Sequence, residues 1–547
     1  MRAFRVFTLL SIMALAVSVP AQARGGEGDA KKVVDLAFET SLEKLFPSDT
    51  ELAAQLPKAG LISLAANEYE ACQAVVIAGC DLKSVRVTVG DLATKGGARI
   101  GDFNVTVNPV GYVRTIKPFY TPYYVRLARQ SNWPDPLLPA GPVDIEAGMI
   151  APFWITVHAP AGTSPGYYTG TVTVYAEGMK LVSGALGVRV RDFALPDESH
   201  LKTAFWLYGD RLLKYHGIKS KDDPAYPAML EKYRDDMLMH RMSDVETGIN
   251  RPAPQVTIAA GKEGDFSEWD NWMEGWLAKG LNCFAVPILR EDSKETIIAK
   301  SRAWGKHLKE KGWLDRSCVF LYDETYDGEQ QRAWVHEGDS RMRNALTEVP
   351  LPKYPNVDIW IPQMERGYEA FPKEIQWARD NGKTLWMYTS SPETGPDGAN
   401  FYPNTNIDFP ATHCRLIPWV CWQDKLDGYL YWCVNVWEKD PWQTAETYRN
   451  QNGNGSFYYP GKDGPVHSLR LEAFRDGMED YEYFYLLKSR ADAARSDKSK
   501  ADVVAAADKA LSLWENPKDF MYNVNRHPEM VYERRDKVAD LIEMLGK

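Results

Sequence analysis

The feature that most constrains the fold is a change in sequence pattern at about Ser199. Before it, short β-branched runs of alternating polarity, at 85–89, 103–107, 153–157 and 171–175, are separated by turns rich in Gly and Pro. After it, apolar strand-like runs alternate with helical segments. The first pattern is typical of a β-sandwich, so we predict two different architectures in one chain.

The second region repeats the order of strand and helix near seven or eight times. Its strand-like runs are largely apolar, which is typical of a parallel sheet buried on both faces. The count favours a (β/α)8 barrel of the TIM type over an open doubly wound sheet, and no strand is followed by a GxGxxG motif. The predicted strands are 203–208, 283–288, 318–322, 357–361, 384–388 and 429–436, and the predicted helices include 229–242, 269–279, 295–311, 330–346 and 368–380.

These patterns divide the chain into four predicted parts. Residues 1–23 form a signal peptide, residues 24–197 an N-terminal β-sandwich domain, residues 198–490 a catalytic (β/α)8 barrel, and residues 491–547 a helical extension packed on the barrel. The extension is expected to be helical because residues 490–513 carry an Ala-rich amphipathic pattern.

The amino-terminal segment has the three parts of a secretory signal. Arg2 and Arg5 supply positive charge, residues 6–19 are apolar, and residues 21–23 read Ala-Gln-Ala, a small-x-small cleavage site. The apolar stretch is shorter than the roughly 20 residues that a bilayer core requires, so a membrane-spanning helix is not expected. We therefore expect a mature protein that works in the periplasm or outside the cell.

Charge and ligand spacing exclude several partners. The formal net charge is −10 and no basic run offsets it, so nucleic acid and anionic membrane surfaces are poor partners. The nine His residues are scattered singly, and neither CxxC nor HExxH occurs, so we predict no metal site and no cofactor.

The seven Cys residues are odd in number and too sparse for a disulfide scaffold. Cys72 and Cys80, eight residues apart, are the first pair to test in an oxidising compartment. Cys283, Cys318 and Cys433 lie inside apolar runs, which is typical of buried thiols that act as small hydrophobic groups.

An adjacent acid pair follows one of the predicted barrel strands. The run 318–322 ends directly in Asp323 and Glu324, and catalytic groups of such barrels come from the carboxyl ends of strands. Like charges this close raise one another's pKa and favour one protonated partner, which is what glycoside hydrolysis needs. The alternative is that Asp323 caps the next helix and Glu324 is merely solvated.

Aromatic residues concentrate in the same region, with fifteen of the eighteen Trp residues between positions 201 and 442. Flat apolar faces mixed with a few hydrogen-bonding groups suit a sugar, whose C–H face stacks while its hydroxyls are paired. The alternative is that these rings pack between the barrel and its helices. The candidates at or near strand ends are Trp206, Trp360, Gln363, Trp386, Tyr388, Trp432 and Asn435.

Three stretches resemble the catalytic domain of glycoside hydrolase family 123 and its close relatives. They are 321–324 (LYDE), 428–435 (GYLYWCVN), and 459–461 (YPG) followed by 468–483 (SLRLEAFRDGMEDYEY). The resemblance spans roughly residues 40–490 and includes a β-sandwich before the barrel. It implies a β-N-acetylgalactosaminidase that uses substrate-assisted catalysis with an adjacent Asp-Glu pair.

The resemblance also implies roles for residues of this chain. Glu324 would be the general acid, and Asp323 would hold the acetamido N–H of the sugar and stabilise the cyclised intermediate, so no protein nucleophile is needed. Tyr388 is the candidate donor to the acetamido carbonyl, and Trp386 or Trp432 would wall its methyl group.

The charged run 470–483 has two interpretations. One is a network of ion pairs that stabilises the last barrel helix, since Arg475 and Glu479 are four residues apart. The other is substrate binding, for which Arg470, nearest the preceding loop, is the candidate.

The leading hypothesis is an exo-acting, retaining glycosidase that acts on glycans or glycoconjugates with terminal β-linked N-acetylgalactosamine. Two alternatives stay open at this point. One is a glycosidase of a related family with another sugar specificity, and the other is a non-catalytic carbohydrate-binding protein.

Overall fold

The computed structural model describes residues 34–117, 132–250, 252–258, 264–364, 370–391 and 402–546. The predicted signal peptide, residues 1–23, lies outside these ranges. Among the helices that are described, none combines the length and the apolar character needed to cross a bilayer. All seven cysteines carry free thiols, including Cys72 and Cys80.

Two packed sheets form the N-terminal region. One has the strand order β1-β3-β10-β7-β8, and the other has the order β2-β12-β11-β4-β9 with a short β5-β6 pair beside β11. Neighbouring strands are antiparallel except for β2 and β12. The strands are β1 Val34–Thr40, β2 Ala59–Ala66, β3 Glu68–Ala78, β4 Leu82–Val89, β5 Leu92–Ala93, β6 Arg99–Ile100, β7 Val105–Arg114, β8 Asn132–Leu137, β9 Val143–Ile145, β10 Ile150–Ala159, β11 Gly166–Ala176 and β12 Met179–Ala194.

The side chains of β10 alternate between the two faces of the sheet, so the strand contributes to two interfaces. Phe153, Ile155 and Val157 point into the core between the two sheets. Trp154 points to the opposite face, where it packs against Leu469 from the second half of the chain. Because successive side chains of a strand point to opposite faces, one strand contributes both to the sandwich core and to the contact with the barrel.

The second region is built on a parallel sheet with the strand order β13-β19-β18-β17-β16-β15-β14. The sheet curls into a nearly closed barrel. The gap between β13 and β14 is bridged by residues 243–245, because the Val245 N–H donates to the Phe205 carbonyl and the Ala285 N–H donates to the Val245 carbonyl. The strands are β13 Lys202–Phe205, β14 Phe284–Ala285, β15 Ser317–Phe320, β16 Asn344–Leu346, β17 Ile359–Trp360, β18 Thr384–Thr389 and β19 Gly428–Tyr431.

The coarse prediction of a β-sandwich followed by a parallel barrel is therefore confirmed. The full count of eight strands is not reproduced, since the segment that bridges the gap makes only isolated bridge contacts. Two short hairpins follow the last barrel strand. They are β20 Glu446–Thr447 with β21 Gln451–Asn452, and β22 Tyr459–Pro460 with β23 Pro465–Val466.

Helices cover the outside of the barrel and form the carboxyl-terminal region. The one at Lys294–Lys311 illustrates the local signals, because the Ser293 side chain caps its amino terminus and Gly312 ends it in a left-handed conformation. The α-helices are Thr50–Ala53, Gly209–Tyr215, Ala225–Met239, Ser267–Ala278, Lys294–Lys311, Glu329–Gly338, Pro372–Asp380, Thr412–Gln423, Leu469–Ala494, Ala501–Leu511, Pro517–Val524 and Glu529–Gly546.

Two predicted helices differ from the observed elements by more than a few residues at their ends. The helix predicted over 330–346 ends at Gly338, and its last residues form strand β16 instead. A strand of three residues is too short to show a period of two, which is why the helical pattern masked it. The predicted helix 490–513 is two elements, because Leu469–Ala494 ends first and Ala501–Leu511 begins after a 3-10 turn.

The helix Leu469–Ala494, here called the long helix, is buried over most of its length despite its many charges. Its acids pair with arginines from neighbouring helices, and these arginines also pair with acids of β3. Arg415 is the central residue, with Asp480 at 2.7 Å, Glu70 at 2.9 Å and Asp476 at 3.5 Å. The charged run therefore joins the long helix to a barrel helix and to the sandwich, and is not only an intrahelical network.

Replacing Arg415 by Met removes the cation from this buried network. Glu70 then loses its main counter-charge and Asp480 loses one of its two arginines without regaining water, and we expect the free energy of unfolding to fall by about 3–5 kcal/mol. Denaturant unfolding followed by circular dichroism measures the change. The matched control is Arg495→Met, because Arg495 pairs with Asp492 and Asp508 at the surface, where solvent screens the charges. An Arg415 variant as stable as this control would contradict the prediction.

Candidate active site

A cavity of about 530 Å³ opens at the carboxyl ends of the barrel strands. Residues that follow six neighbouring strands contribute to its wall because the carboxyl ends of parallel strands meet at one edge of the sheet. The lining residues are Tyr208, Asp323, Glu324, Thr347, Glu348, Val349, Gln363, Tyr388, Ser390, Ser391, Leu430, Trp432, Tyr448 and Arg449.

The acid pair lies three residues beyond the end of β15 and is held by Thr347, which directly follows β16. The Thr347 hydroxyl accepts a hydrogen bond from the Glu324 N–H at 2.7 Å and donates one to Asp323 Oδ1 at 2.6 Å. Glu324 has a φ of +46°, a left-handed conformation that is uncommon for a residue with a side chain. One hydroxyl thus positions both members of the pair.

Tyr388, the fifth residue of β18, contacts the acid pair directly. Its hydroxyl donates a hydrogen bond to Glu324 Oε1 at 2.5 Å. Burial raises the pKa of Tyr388 well above its usual range, and the hydrogen bond to Glu324 raises it further. The phenol therefore remains protonated and restrains the Glu324 carboxylate.

The cavity carries three carboxylates. Solvent reaches Asp323 from the cavity, but the surrounding walls displace much of its water and raise its pKa, and the charge of Glu324 adds to this effect. The hydrogen bond from Thr347 acts in the opposite direction. The third acid, Glu348, hydrogen-bonds the Tyr326 hydroxyl. This site has the arrangement needed for acid and base chemistry on an uncharged substrate.

The positive charge in the cavity wall comes from the hairpin β20-β21. Of the described residues that line the cavity, Arg449 is the one cation. Its guanidinium lies 4.9 Å from the centre of the Tyr448 ring, and that ring meets Trp432 edge-on at 5.4 Å between centroids. This stack forms an aromatic wall of the cavity.

The predicted residues Gln363 and Trp432 line the cavity together with the acid pair and Tyr388. The Gln363 side chain donates to the Ser391 carbonyl at 3.1 Å, which ties the ends of two strands together. The Trp432 indole N–H donates to Asn454 Oδ1 at 3.1 Å, which orients the ring.

Four other predicted residues support the cavity without lining it. Trp386 shares the interior face of the barrel with Tyr388 but is buried below the cavity, while Trp360 points outward to the helices. Trp206 packs edge-on against Phe320 at 5.3 Å between ring centroids. The alternative, packing between the barrel and its helices, is therefore found for Trp360, whereas Trp206 and Trp386 pack inside the barrel.

Asn435 is the fourth of these supporting residues. It is buried, and its side-chain amide makes two hydrogen bonds to the backbone of Tyr208, at 2.9 and 3.1 Å. Tyr208 lines the cavity, and burial raises its pKa to about 12, so its hydroxyl keeps its proton and is available as a donor. Asn435 thus acts on the cavity through Tyr208.

Gly428, the first residue of β19, makes room for Trp386. A Cβ at this position would lie 2.4 Å from the indole ring, so any other residue would displace the ring. The glycine in the 428–435 motif is explained by this close approach.

The predicted role of Arg470 in substrate binding is not supported by its position. It is buried, and its guanidinium makes two hydrogen bonds to Asp135 of β8, at 2.8 and 2.9 Å. It also donates to the carbonyls of Thr405 and Gly453. These partners take four of the five guanidinium N–H groups and join the long helix to the sandwich, and Arg470 is not among the residues that line the cavity.

Nine of the fourteen residues that line the cavity escaped the sequence analysis, among them five whose place in the chain explains why. Thr347 and Glu348 follow a strand that was predicted as the end of a helix, so their place at a strand end was hidden. Tyr208 closes the first predicted barrel strand, and its position was the available signal. Tyr448 and Arg449 lie on a hairpin after the last barrel strand, where no periodicity marks a functional residue.

Family models and solved structures relate the chain to known proteins. The model described as the catalytic domain of glycoside hydrolase 123 matches residues 284–487, and the glycoside hydrolase 123 N-terminal domain matches residues 66–176. Comparison with curated proteins gives no match.

A solved family 123 glycoside hydrolase from Clostridium perfringens, described for glycolipid glycan hydrolysis, is similar in fold. It has a TM-score of 0.69 and 13% identity, and the alignment covers 94% of this chain and 99% of that chain. A family 39 glycoside hydrolase from Bacteroides cellulosilyticus has a TM-score of 0.31 at 12% identity, covering 72% of this chain and 82% of that one. A family 5 xyloglucanase from Bacteroides ovatus has a TM-score of 0.24 at 9% identity, covering 77% and 98%. The last two scores are too low to carry an argument.

The two family models lie on the two regions of the fold, with the N-terminal model on the sandwich and the catalytic model on the barrel and the long helix. Together they match more than half of the chain, and the acid pair lies inside the catalytic match. The chain therefore belongs to glycoside hydrolase family 123.

Proposed function

We propose that the chain is a secreted, exo-acting, retaining glycosidase that removes terminal β-linked N-acetylgalactosamine by substrate-assisted catalysis. The observation that carries the proposal is the adjacency of Asp323 and Glu324, both hydrogen-bonded to one Thr347 hydroxyl. Two carboxylates held on one side cannot flank a sugar as the acid and the nucleophile of a two-carboxylate retaining enzyme do. The nucleophile is then the 2-acetamido carbonyl oxygen of the substrate.

In the first step Glu324 donates its proton to the glycosidic oxygen. The acetamido oxygen attacks the anomeric carbon as the bond to the leaving group breaks, and a cyclic oxazolinium forms. Asp323, as a carboxylate, accepts the acetamido N–H and stabilises the positive charge that develops on the ring. Thr347 supports this role, because its hydroxyl donates to Asp323 and so favours the ionised form.

In the second step the Glu324 carboxylate takes a proton from water, and the oxygen of that water bonds to the anomeric carbon. The oxazolinium ring opens and returns the acetamido group, so the sugar leaves with its original configuration. Tyr388 holds Glu324 through both steps in this scheme. This differs from the role that the resemblance implied, in which the phenol donates to the acetamido carbonyl, and we assign that donor role to the protonated hydroxyl of Tyr208.

The rest of the cavity fits a sugar. The rings of Trp432 and Tyr448 offer aromatic surface for a C–H face, while Gln363 and Ser390 supply polar groups. A volume of about 530 Å³ lies in the range of pockets that enclose a small ligand. The choice of a galacto-configured sugar rests on the family resemblance.

Secretion is proposed from the signal-like pattern of residues 1–23. The mature chain would begin at Arg24, and mass spectrometry of protein recovered outside the cytoplasm measures this directly. A chain that keeps its first 23 residues would contradict it.

Glu324→Gln and Asp323→Asn test the mechanism on aryl β-N-acetylgalactosaminide. The first removes the proton donor, and the second removes the charge that stabilises the oxazolinium, so we expect kcat/KM to fall by about a hundredfold to ten-thousandfold in each. Release of the aryl group, compared with release from the β-N-acetylglucosaminide, measures both activity and sugar preference. Full activity in both variants would refute the proposed roles.

A second candidate function is favoured by Glu348. This carboxylate lies on the neighbouring strand end and lines the same cavity, so it offers a protein nucleophile for a glycosidase whose sugar lacks the acetamido group. A thiazoline that mimics the cyclised acetamido group separates the two candidates. It inhibits the substrate-assisted enzyme and leaves the other active, whereas Glu348→Gln abolishes the activity of the two-carboxylate enzyme alone.

Thr347→Val tests the electrostatics of the pair. Loss of the hydroxyl removes the hydrogen bond that favours ionised Asp323, so the pKa of Asp323 rises further above its usual range. Since the mechanism needs Asp323 ionised, the acidic limb of the pH profile of kcat/KM moves to higher pH, by about one pH unit. Thr389→Val is the control, because Thr389 is buried on the same strand as Tyr388 and bonds Tyr429 instead. An unchanged acidic limb in Thr347→Val would contradict the prediction.

A further inference from the structure

A second cluster of titratable side chains lies away from the acid pair, where the barrel meets the sandwich. Asp236 and His240 are one turn apart at the end of the helix Ala225–Met239, so they face the same side. His467 approaches them from the loop after β23, and Glu472 from the first turn of the long helix. Two segments that are distant in sequence therefore meet at one point.

The geometry of the cluster is that of a ligand set. One ligand atom each from Asp236, His240 and His467 lie within 4.8 Å of one another. His467 Nε2 is 2.7 Å from Asp236 Oδ2, and His240 Nδ1 is 3.2 Å from Asp236 Oδ1. The same His240 nitrogen is 2.8 Å from the Asp236 carbonyl oxygen.

The other nitrogen of each imidazole faces a single carboxylate. His467 Nδ1 lies 2.8 Å from Glu472 Oε1, and His240 Nε2 lies 3.4 Å from the same oxygen. Imidazoles that bind a metal commonly donate their second N–H to a carboxylate in this way, which directs the free nitrogen at the ion. The Tyr458 hydroxyl donates to Asp236 Oδ1 at 2.8 Å and orients that carboxylate.

The contacts of the cluster show which protons an ion would replace. His467 Nε2 lies 2.7 Å from Asp236 Oδ2 and His240 Nδ1 lies 2.8 Å from the Asp236 carbonyl oxygen, so each nitrogen carries a proton when no ion is bound, and an ion would take the place of those protons. Arg475 pairs with the second oxygen of Glu472 at 2.6 Å, so one arginine faces two acids of the cluster.

We propose that Asp236, His240 and His467 bind a divalent ion of the zinc type. Two imidazole nitrogens and one carboxylate are ligands that zinc prefers, whereas magnesium and calcium take oxygen ligands. His467 and Glu472 line a cleft of about 490 Å³ between the sandwich and the barrel, which supplies a path for the ion and a place for a water ligand. The ion would join a barrel helix to the loop before the long helix, so its role is structural.

Zinc content of the full chain, purified without a polyhistidine tag, tests the site. After equilibration with zinc and removal of the excess, we expect about one zinc per wild-type chain by plasma mass spectrometry and a loss of most of it in His467→Gln. His158→Gln is the matched control, because His158 lines the same cleft but lies outside the cluster. Its zinc content should equal that of the wild type.

If His467→Gln folds poorly, the midpoint of thermal unfolding provides a second test. Zinc should raise the midpoint of thermal unfolding of the wild type and of His158→Gln, and a chelator should reverse the shift. Cobalt bound to the wild type should give visible absorption typical of four ligands. A wild-type chain that binds no zinc and shows no zinc-dependent midpoint would overturn the proposal, and His467 would then be an imidazolium bridging Asp236 and Glu472.

Discussion

The interaction on which the rest of the structure depends is the buried contact between the long helix and the sandwich. Glu68 and Glu70 are two residues apart in β3 and so lie on the same face of the sheet, the face that carries Cys72 and Ala74, at the end of the strand. There they meet Arg535 and Arg415, which also bind acids of the long helix. Charges in such a place are tolerated only when each has its partner, so the sandwich, the barrel and the carboxyl-terminal helices must be assembled together.

That requirement explains why the 468–483 stretch is so rich in charge although it lies in the interior. The Ser468 side chain caps the long helix, and Arg470 then reaches across to Asp135 of the sandwich. Farther along, Asp476 and Asp480 form ion pairs with Arg415. This motif contributes to the family resemblance, but its residues hold the domains together and do not line the sugar cavity.

The cavity around the acid pair shows a similar division between the residues that present their polar groups and the residues that position them. Glu324 and Asp323 face the cavity, but Thr347 and Tyr388 determine where their oxygens lie. Asn435 plays the same part for Tyr208. Each positioning residue comes from a different strand end, so the site forms only after the strands have come together.

The sequence by itself determined the order of the two architectures, the place of the acid pair after a buried strand, and the concentration of Trp in the barrel region. These features are local, since periods of two and of 3.6 residues and short motifs can be read within a few positions. Predictions that needed a second segment were less successful. Trp360 and Trp386 were placed near the sugar, although one faces the outer helices and the other lies below the cavity floor.

Only the tertiary structure decided which polar groups meet. Thr347 reaches the acid pair because β16 lies beside β15, and Arg470 turns to Asp135 because β8 packs on the long helix. The three-residue strand β16 has no period to detect, and a histidine such as His467 meets Asp236 from a segment 231 positions away. Hydrogen bonds and ion pairs act over about 3 Å in space, while the residues that make them are separated by tens or hundreds of positions in the chain.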